Sequence, residues 1–255
     1  SMKITRAVVP SLFTVLNIFC GFLAIIYISR GRIEMAIWFI LLAAAFDSFD
    51  GIMARITRSS SQFGVELDSL ADVVSFGAAP AFMIYQAHLQ TMENWGIIVS
   101  SMPLVFGAIR LARFNVQLVG FDKDHFKGLP VPFQAITICA FMLEFYTQGG
   151  GLHGWTSNAL APMVVGLSLL MVSRVKYETL PKFSKRDIRA HPWKTLGFSA
   201  AALAVILSQG RFLFLVLMTW ILFGIIRSFV ATMKHWLSHL EKDVEEESEV
   251  SSIDI

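Results

Sequence analysis

Eight stretches of this 255-residue chain are apolar for long enough, or nearly so, to cross a lipid bilayer, and no other feature restricts the fold as much. They cover roughly 10–29, 34–56, 67–88, 95–116, 130–148, 157–174, 194–209 and 211–234; a spanning helix needs about 20 mostly apolar residues. The seventh is short, and the third and fourth carry polar residues. Inside hydrocarbon the backbone must satisfy its own hydrogen bonds, which predicts an all-α, polytopic membrane helix bundle of about eight transmembrane helices. A membrane barrel would show alternating segments of about ten residues, and the sequence has none. Composition agrees: 55% of residues are hydrophobic and 16% charged, against about 45–50% and about 25% in soluble domains. Cys20 and Cys139 both lie in apolar runs and offer neither a disulfide framework nor zinc-ligand spacing. The first run lacks a short apolar core followed by a cleavage-site pattern, so it is expected to be a retained helix.

Charge sets the expected orientation. Of the 21 Lys and Arg residues, only Arg30, Arg32 and Arg211 fall on one side of the eight-helix layout. The positive-inside rule puts the crowded side in the cytoplasm, with both termini, and a prokaryotic cell membrane is the expected location. Residues 1–237 read as one membrane-embedded domain, and 238–255, "SHLEKDVEEESEVSSIDI", as an acidic, disordered cytoplasmic tail. Segment 147–158, "TQGGGLHGWTSN", reads as a flexible outer loop. The basic run over 174–194 reads as a solvated loop that touches anionic membrane lipids. A net charge of +2 gives no reason to expect a nucleic-acid partner. The six histidines are scattered without metal-ligand spacing, and Trp95 and Trp236 fit interfacial anchoring.

Against this background stand four aspartates in "DSFDGIMARITRSSSQFGVELDSLAD", residues 47–72. A carboxylate at the centre of a membrane helix costs roughly 2.5–3.5 kcal/mol. Asp47 and Asp50 are three apart near the inner end of the second predicted helix, and Asp68 and Asp72 are four apart near the start of the third. Each spacing puts a pair on one helix face, and the short polar connection lets both pairs point at one place near the cytoplasmic surface. Clustered carboxylates repel one another, and hard divalent cations, Mg²⁺ or Mn²⁺, offset that repulsion. Two such ions form a known arrangement for chemistry on phosphates. Gly51 and Ala54 leave room for a ligand or helix beside Asp50. Arg55 suits a phosphate, Ser59, Ser60 and Ser61 offer hydroxyls, and Gly64 permits a tight turn before the third helix. Intramembrane acids can also pair with Arg for assembly or line a cation path. Four at these spacings, with Gly and Arg interleaved, favour a catalytic site.

The motif resembles the signature of the CDP-alcohol phosphatidyltransferase family: Asp-x-x-Asp-Gly-x-x-Ala-Arg, eight residues, then Gly-x-x-x-Asp-x-x-x-Asp. It stands here as "DSFDGIMAR", "ITRSSSQF" and "GVELDSLAD", with every defined position matched. A finer resemblance, to members whose acceptor alcohol is L-serine, rests on "PSLFTVLNIFCGFLA" (10–24), "SFGAAPA" (75–81), "RLARFN" (110–115) and "FKGLPVP" (126–132). The resemblance implies a helical bundle with a polar cytoplasm-facing cavity, usually a homodimer, and CDP-diacylglycerol as donor. It implies that Asp47, Asp50, Asp68 and Asp72 bind two divalent cations and that Asp72 is also the general base. It implies CDP contacts at Thr14, Asn17, Gly51, Ala54, Arg55, Ser61 and Gly64. No G-x-S-x-G elbow or other sign of a covalent nucleophile is present, which fits direct displacement.

Serine brings a carboxylate and an ammonium, so its site should hold basic groups and acceptors. Arg110, Arg113, Asn115 and Lys127 lie at the same membrane face as the aspartates and are the candidate serine contacts; the other reading is ordinary positive-inside decoration. Glycerol phosphate or inositol phosphate as acceptor, or an ether-lipid donor, would keep the chemistry. A cation transporter would instead need acids at mid-membrane depth and a path to the outer face. The outer halves of the helices carry few acids, Glu34, Glu93 and Glu144 among them.

Overall fold

A computed structural model describes residues 2–57, 62–119, 128–146, 150–175, 177 and 212–253. Eight α-helices are described: α1 Met2–Ser29, α2 Ile33–Thr57, α3 Gln62–Asp72, α4 Ala79–Ala87, α5 Glu93–Val119, α6 Val131–Phe145, α7 Trp155–Val172 and α8 Leu213–Ile253. No strand occurs among the described residues. α3 and α4 form one span, Gln62–Ala87, and six spans in all are long and apolar enough to cross a membrane. α6 is apolar but shorter, at 15 residues. The chain is an all-helical integral membrane protein. The predicted span at 194–209 lies outside the described residues.

α1 and α2 form a tight hairpin. Gly31, at φ +71°, makes the reversal, and the Arg30, Gly31 and Arg32 amides donate to the Tyr27 and Ile28 carbonyls. Small buried residues, Ala24, Ala36, Ala43 and Ala44, let the backbones approach. Tyr27 stacks on Phe39 with ring centroids 5.2 Å apart. This hairpin fixes the C-terminal half of α2, with its aspartates, against the N-terminal half of α1.

The third span departs from the sequence expectation in two ways. It begins at Gln62 rather than near 67, so Gly64 lies in the first turn of α3 instead of ahead of it. It is also interrupted by a π-helical segment, Val73–Ala78, directly after Asp72. There the Ala79 amide donates to the Val74 carbonyl, one residue further back than in an α-helix. Pro80 follows in the first turn of α4. Proline has no amide to give and its ring presses on the carbonyl four residues back, and the widened turn accommodates it.

The start of α6 is pinned to the end of α7. The Gly128 amide donates to the Val175 carbonyl at 2.8 Å and the Leu129 amide to the Leu170 carbonyl at 3.0 Å. Gly128 has φ +92°, and a Cβ there would stand 2.3 Å from the Met171 carbonyl oxygen, so only glycine fits. α8 is one helix of 41 residues, about 60 Å at 1.5 Å per residue and twice the hydrocarbon thickness of about 30 Å. It continues as helix where the sequence suggested a disordered tail after 237. No proline interrupts it, and Leu, Glu and Lys are good helix formers.

Candidate active site and metal centre

The N-terminal half of α1, the C-terminal half of α2, α3 and the C-terminal half of α5 meet around the aspartates. Carboxylate oxygens of Asp47, Asp68 and Asp72 all lie within 4.8 Å of one another. The pairs on α2 and α3 thus converge as their spacing predicts, but with three of the four in the tight group. Asp50 is buried and accepts a hydrogen bond on Oδ2 from the Thr14 hydroxyl of α1. It lies one turn of α2 from Asp47, on the same side of the helix. Asp72 is buried, and its Oδ1 has no hydrogen-bond partner. Asp47 and Asp68 are half-buried and open the cluster on one side.

Three mutually close carboxylates in an apolar setting repel strongly. Oxygen ligands at this spacing suit a hard divalent cation, and the unpartnered Asp72 oxygen leaves a coordinating position free. The residues present therefore fit a Mg²⁺ or Mn²⁺ centre.

α1 lines the other wall. Thr14, Asn17 and Gly21 share one helix face, and the first two are buried. The Asn17 side chain faces the Asp72 carboxylate, and both of its amide atoms are buried. The Asn17 carbonyl accepts a hydrogen bond from the Ser75 hydroxyl at 2.9 Å. Ser75 belongs to the π-helical segment, and it sits so near α1 that a Cβ on Gly21 would stand 2.4 Å from its Oγ. Sequence reasoning missed this link. The Gly in the first apolar run and the Ser in "SFGAAPA" were visible, but not their contact.

The remaining candidates divide. Gly51 is half-buried in α2, one residue beyond Asp50, and Ala54 and Arg55 occupy the last turn of that helix. Ser61 and Lys127 lie outside the described residues. Arg110 is half-buried, its Nε is buried without a partner, and its positive charge acts on Asp72. Arg113 is exposed. Asn115 is taken up by α3: its amide donates to Glu66 Oε2 at 3.1 Å and to Ser69 Oγ at 3.0 Å, and the Ser69 hydroxyl reaches its Oδ1 at 3.2 Å. Asn115 thus ties α5 to the helix that carries Asp68 and Asp72.

A family model described as CDP-alcohol phosphatidyltransferase matches residues 7–171, a range that contains every described site residue. The chain is 38% identical over 178 residues to the CDP-diacylglycerol–serine O-phosphatidyltransferase of Helicobacter pylori (strain ATCC 700392 / 26695), covering 69% of this chain and 73% of that one. It is 33% identical over 185 residues to the protein of the same name from Bacillus subtilis (strain 168), covering 72% and 98%. It is also 38% identical over 179 residues to the archaetidylserine synthase of Methanothermobacter thermautotrophicus, covering 69% and 72%.

Proposed function

Since the chain belongs to the CDP-alcohol phosphatidyltransferase family, we propose that it transfers the phosphatidyl group of CDP-diacylglycerol to the hydroxyl of L-serine, giving phosphatidylserine and CMP. The observation that carries this reading is the convergence of Asp47, Asp68 and Asp72 within 4.8 Å, inside the stretch that the family model matches. Asp47, Asp50, Asp68 and Asp72 would hold two divalent cations, which supply charge neutralisation for the diphosphate and for the departing CMP.

The chain's own groups do the rest. The Asp72 carboxylate takes the proton of the serine hydroxyl as that oxygen attacks the β-phosphorus, and the bond from this phosphorus to the CMP oxygen breaks. Thr14 holds Asp50 in place. Asn17 lines the wall beside Asp72, and with Thr14, Gly51, Ala54, Arg55, Ser61 and Gly64 it forms the CDP subsite. Arg110 is the described candidate best placed for the serine carboxylate, because it is half-buried and its Nε has no partner. Asn115 serves as a strut between α3 and α5, while Arg113 and Lys127 are the further basic candidates for the serine carboxylate. The site opens to the cytoplasm in an eight-span chain with both termini inside, and two copies associate as a homodimer. The membrane domain covers 1–237, with 238–255 a separate acidic extension.

A second reading concerns the donor only. The identity to an archaetidylserine synthase equals that to the Helicobacter protein, 38% in each case, and it favours an ether-lipid CDP donor as the alternative. A panel assay decides acceptor and donor together. CMP release by the purified protein is measured with serine, glycerol phosphate and inositol phosphate, each against ester- and ether-linked donors. Serine-dependent release with the ester donor is the expected result. Release with a polyol phosphate and none with serine would overturn the acceptor assignment.

A further inference from the structure

Ser75 has no part in the chemistry proposed above, yet it is fully buried and its hydroxyl donates to the site wall, to the Asn17 carbonyl at 2.9 Å. A hydroxyl in a membrane helix can satisfy itself on its own helix, three or four residues back. Ser48, Ser100 and Thr137 do so, donating to the Ala44, Ile97 and Phe133 carbonyls. Thr14, Ser69 and Ser75 instead reach across to another helix, to Asp50, Asn115 and Asn17. The first of these holds an aspartate, and the second ties down the helix that carries two more. The third has no role yet.

The Asn17 carbonyl already belongs to the hydrogen-bond ladder of α1, where it accepts from the Gly21 amide four residues on. Ser75 reaches the same oxygen only because residue 21 has no side chain: a Cβ there would stand 2.4 Å from Ser75 Oγ and 2.8 Å from Ser75 Cα. The contact closes a circuit around Asp72. Asp72 ends α3, and Ser75 follows three residues on, in the π-helical segment. Asn17 meets both, accepting from Ser75 on its carbonyl and facing the Asp72 carboxylate with its side chain. Widened helical turns recur at functional sites; this one directly follows Asp72, and its Ser75, Phe76 and Gly77 are buried.

We propose that Ser75 is a positioning residue for the general base: its hydroxyl locks the Asn17 backbone to the segment that follows Asp72, and so keeps the Asn17 carboxamide against the Asp72 carboxylate. Gly21 is the residue whose missing side chain admits that hydroxyl. The assignment rests on the role of Asp72 proposed above, and not on which alcohol is the acceptor.

The test follows CMP release by purified full-length protein at saturating Mn²⁺, beside the unfolding midpoint in detergent. Ser75→Ala should lower kcat about tenfold, since a small displacement of a catalytic group is costly, with the KM for serine and for CDP-diacylglycerol unchanged. Ser75→Cys keeps a weak donor and should fall between alanine and wild type; it carries the test if the alanine variant fails to fold. Because Ser75 acts through the Asn17 side chain, its loss should cost nothing more once that side chain is gone. Asn17→Ala keeps Asp72 and the other aspartates, and the double variant should turn over as fast as Asn17→Ala alone. Losses that multiply in the double variant would overturn the role of Ser75. So would an unchanged kcat in both Ser75 variants, even with a lower unfolding midpoint, which would leave Ser75 a packing residue. An Asp72→Asn enzyme as fast as wild type would overturn the reading of Asp72 instead.

Discussion

At the scale of single residues, Asp72 combines burial with a free oxygen. Asp50 is also buried, but its Oδ2 is taken by Thr14. That difference divides their work. Asp72→Asn should lower kcat by about 10²–10⁴-fold, the range for a lost general base, with the CDP-diacylglycerol KM within a few-fold of wild type in a CMP-release assay. Thr14→Val removes a hydrogen bond to a charged acceptor, worth about 1.5–3 kcal/mol, and should raise the Mn²⁺ concentration for half-maximal activity about tenfold. A metal titration checks this, and an unchanged midpoint would remove Thr14 from the site. The aspartates were legible in the sequence because a carboxylate in an apolar run is an anomaly at any single position. Ser75 was not, because a lone hydroxyl in a membrane helix is ordinary until its partner is seen.

At the scale of elements, the helices and their order were legible from apolar run length, since lipid leaves the backbone few choices. Two features were not. The π-helical segment arises where Pro80 follows Asp72 within one span, and its consequence, Ser75 reaching the Asn17 carbonyl at 2.9 Å, depends on a contact 58 residues away in sequence. The docking of Gly128 on α7 is likewise a long-range fact; locally the glycine reads only as a turn. Gly128→Ala places a Cβ 2.3 Å from the Met171 carbonyl oxygen at a φ of +92°. It should destabilise the protein by more than about 1 kcal/mol, measured as a lower unfolding midpoint in detergent; an unchanged midpoint would contradict the described junction. Asn115→Ala, which cuts the strut from α5 to Glu66 and Ser69, should lower kcat more than it raises the serine KM. A change confined to KM would return Asn115 to the acceptor pocket.

At the scale of the whole molecule, the proposed topology, with the aspartates at the cytoplasmic end, follows from the Lys and Arg distribution. Both cysteines are buried, so single introduced thiols report sidedness cleanly. A thiol at Arg30→Cys, in the α1–α2 turn, should react with an impermeant reagent from outside intact cells. One at Ser248→Cys, in the extension of α8, should react only after the membrane is opened, and the reverse pattern would invert the topology. The exposed faces of Leu215, Leu222, Phe223, Ile226 and Phe229 on α8 suit contact with lipid chains. The acidic residues beyond 240 lie past the length of helix a bilayer can hold.

Everything proposed for this site depends on the aspartate cluster serving phosphatidyl transfer to serine with the help of divalent metal. The most direct measurement is incorporation of radiolabelled serine into lipid by purified protein supplied with CDP-diacylglycerol. It is run with and without Mn²⁺ or Mg²⁺, beside Asp72→Asn. The expected result is metal-dependent lipid product with matching CMP release, both lost in the variant. Folded, metal-loaded wild-type protein that labels no lipid, or a variant that labels it as fast, would overturn the serine transfer and the role of Asp72.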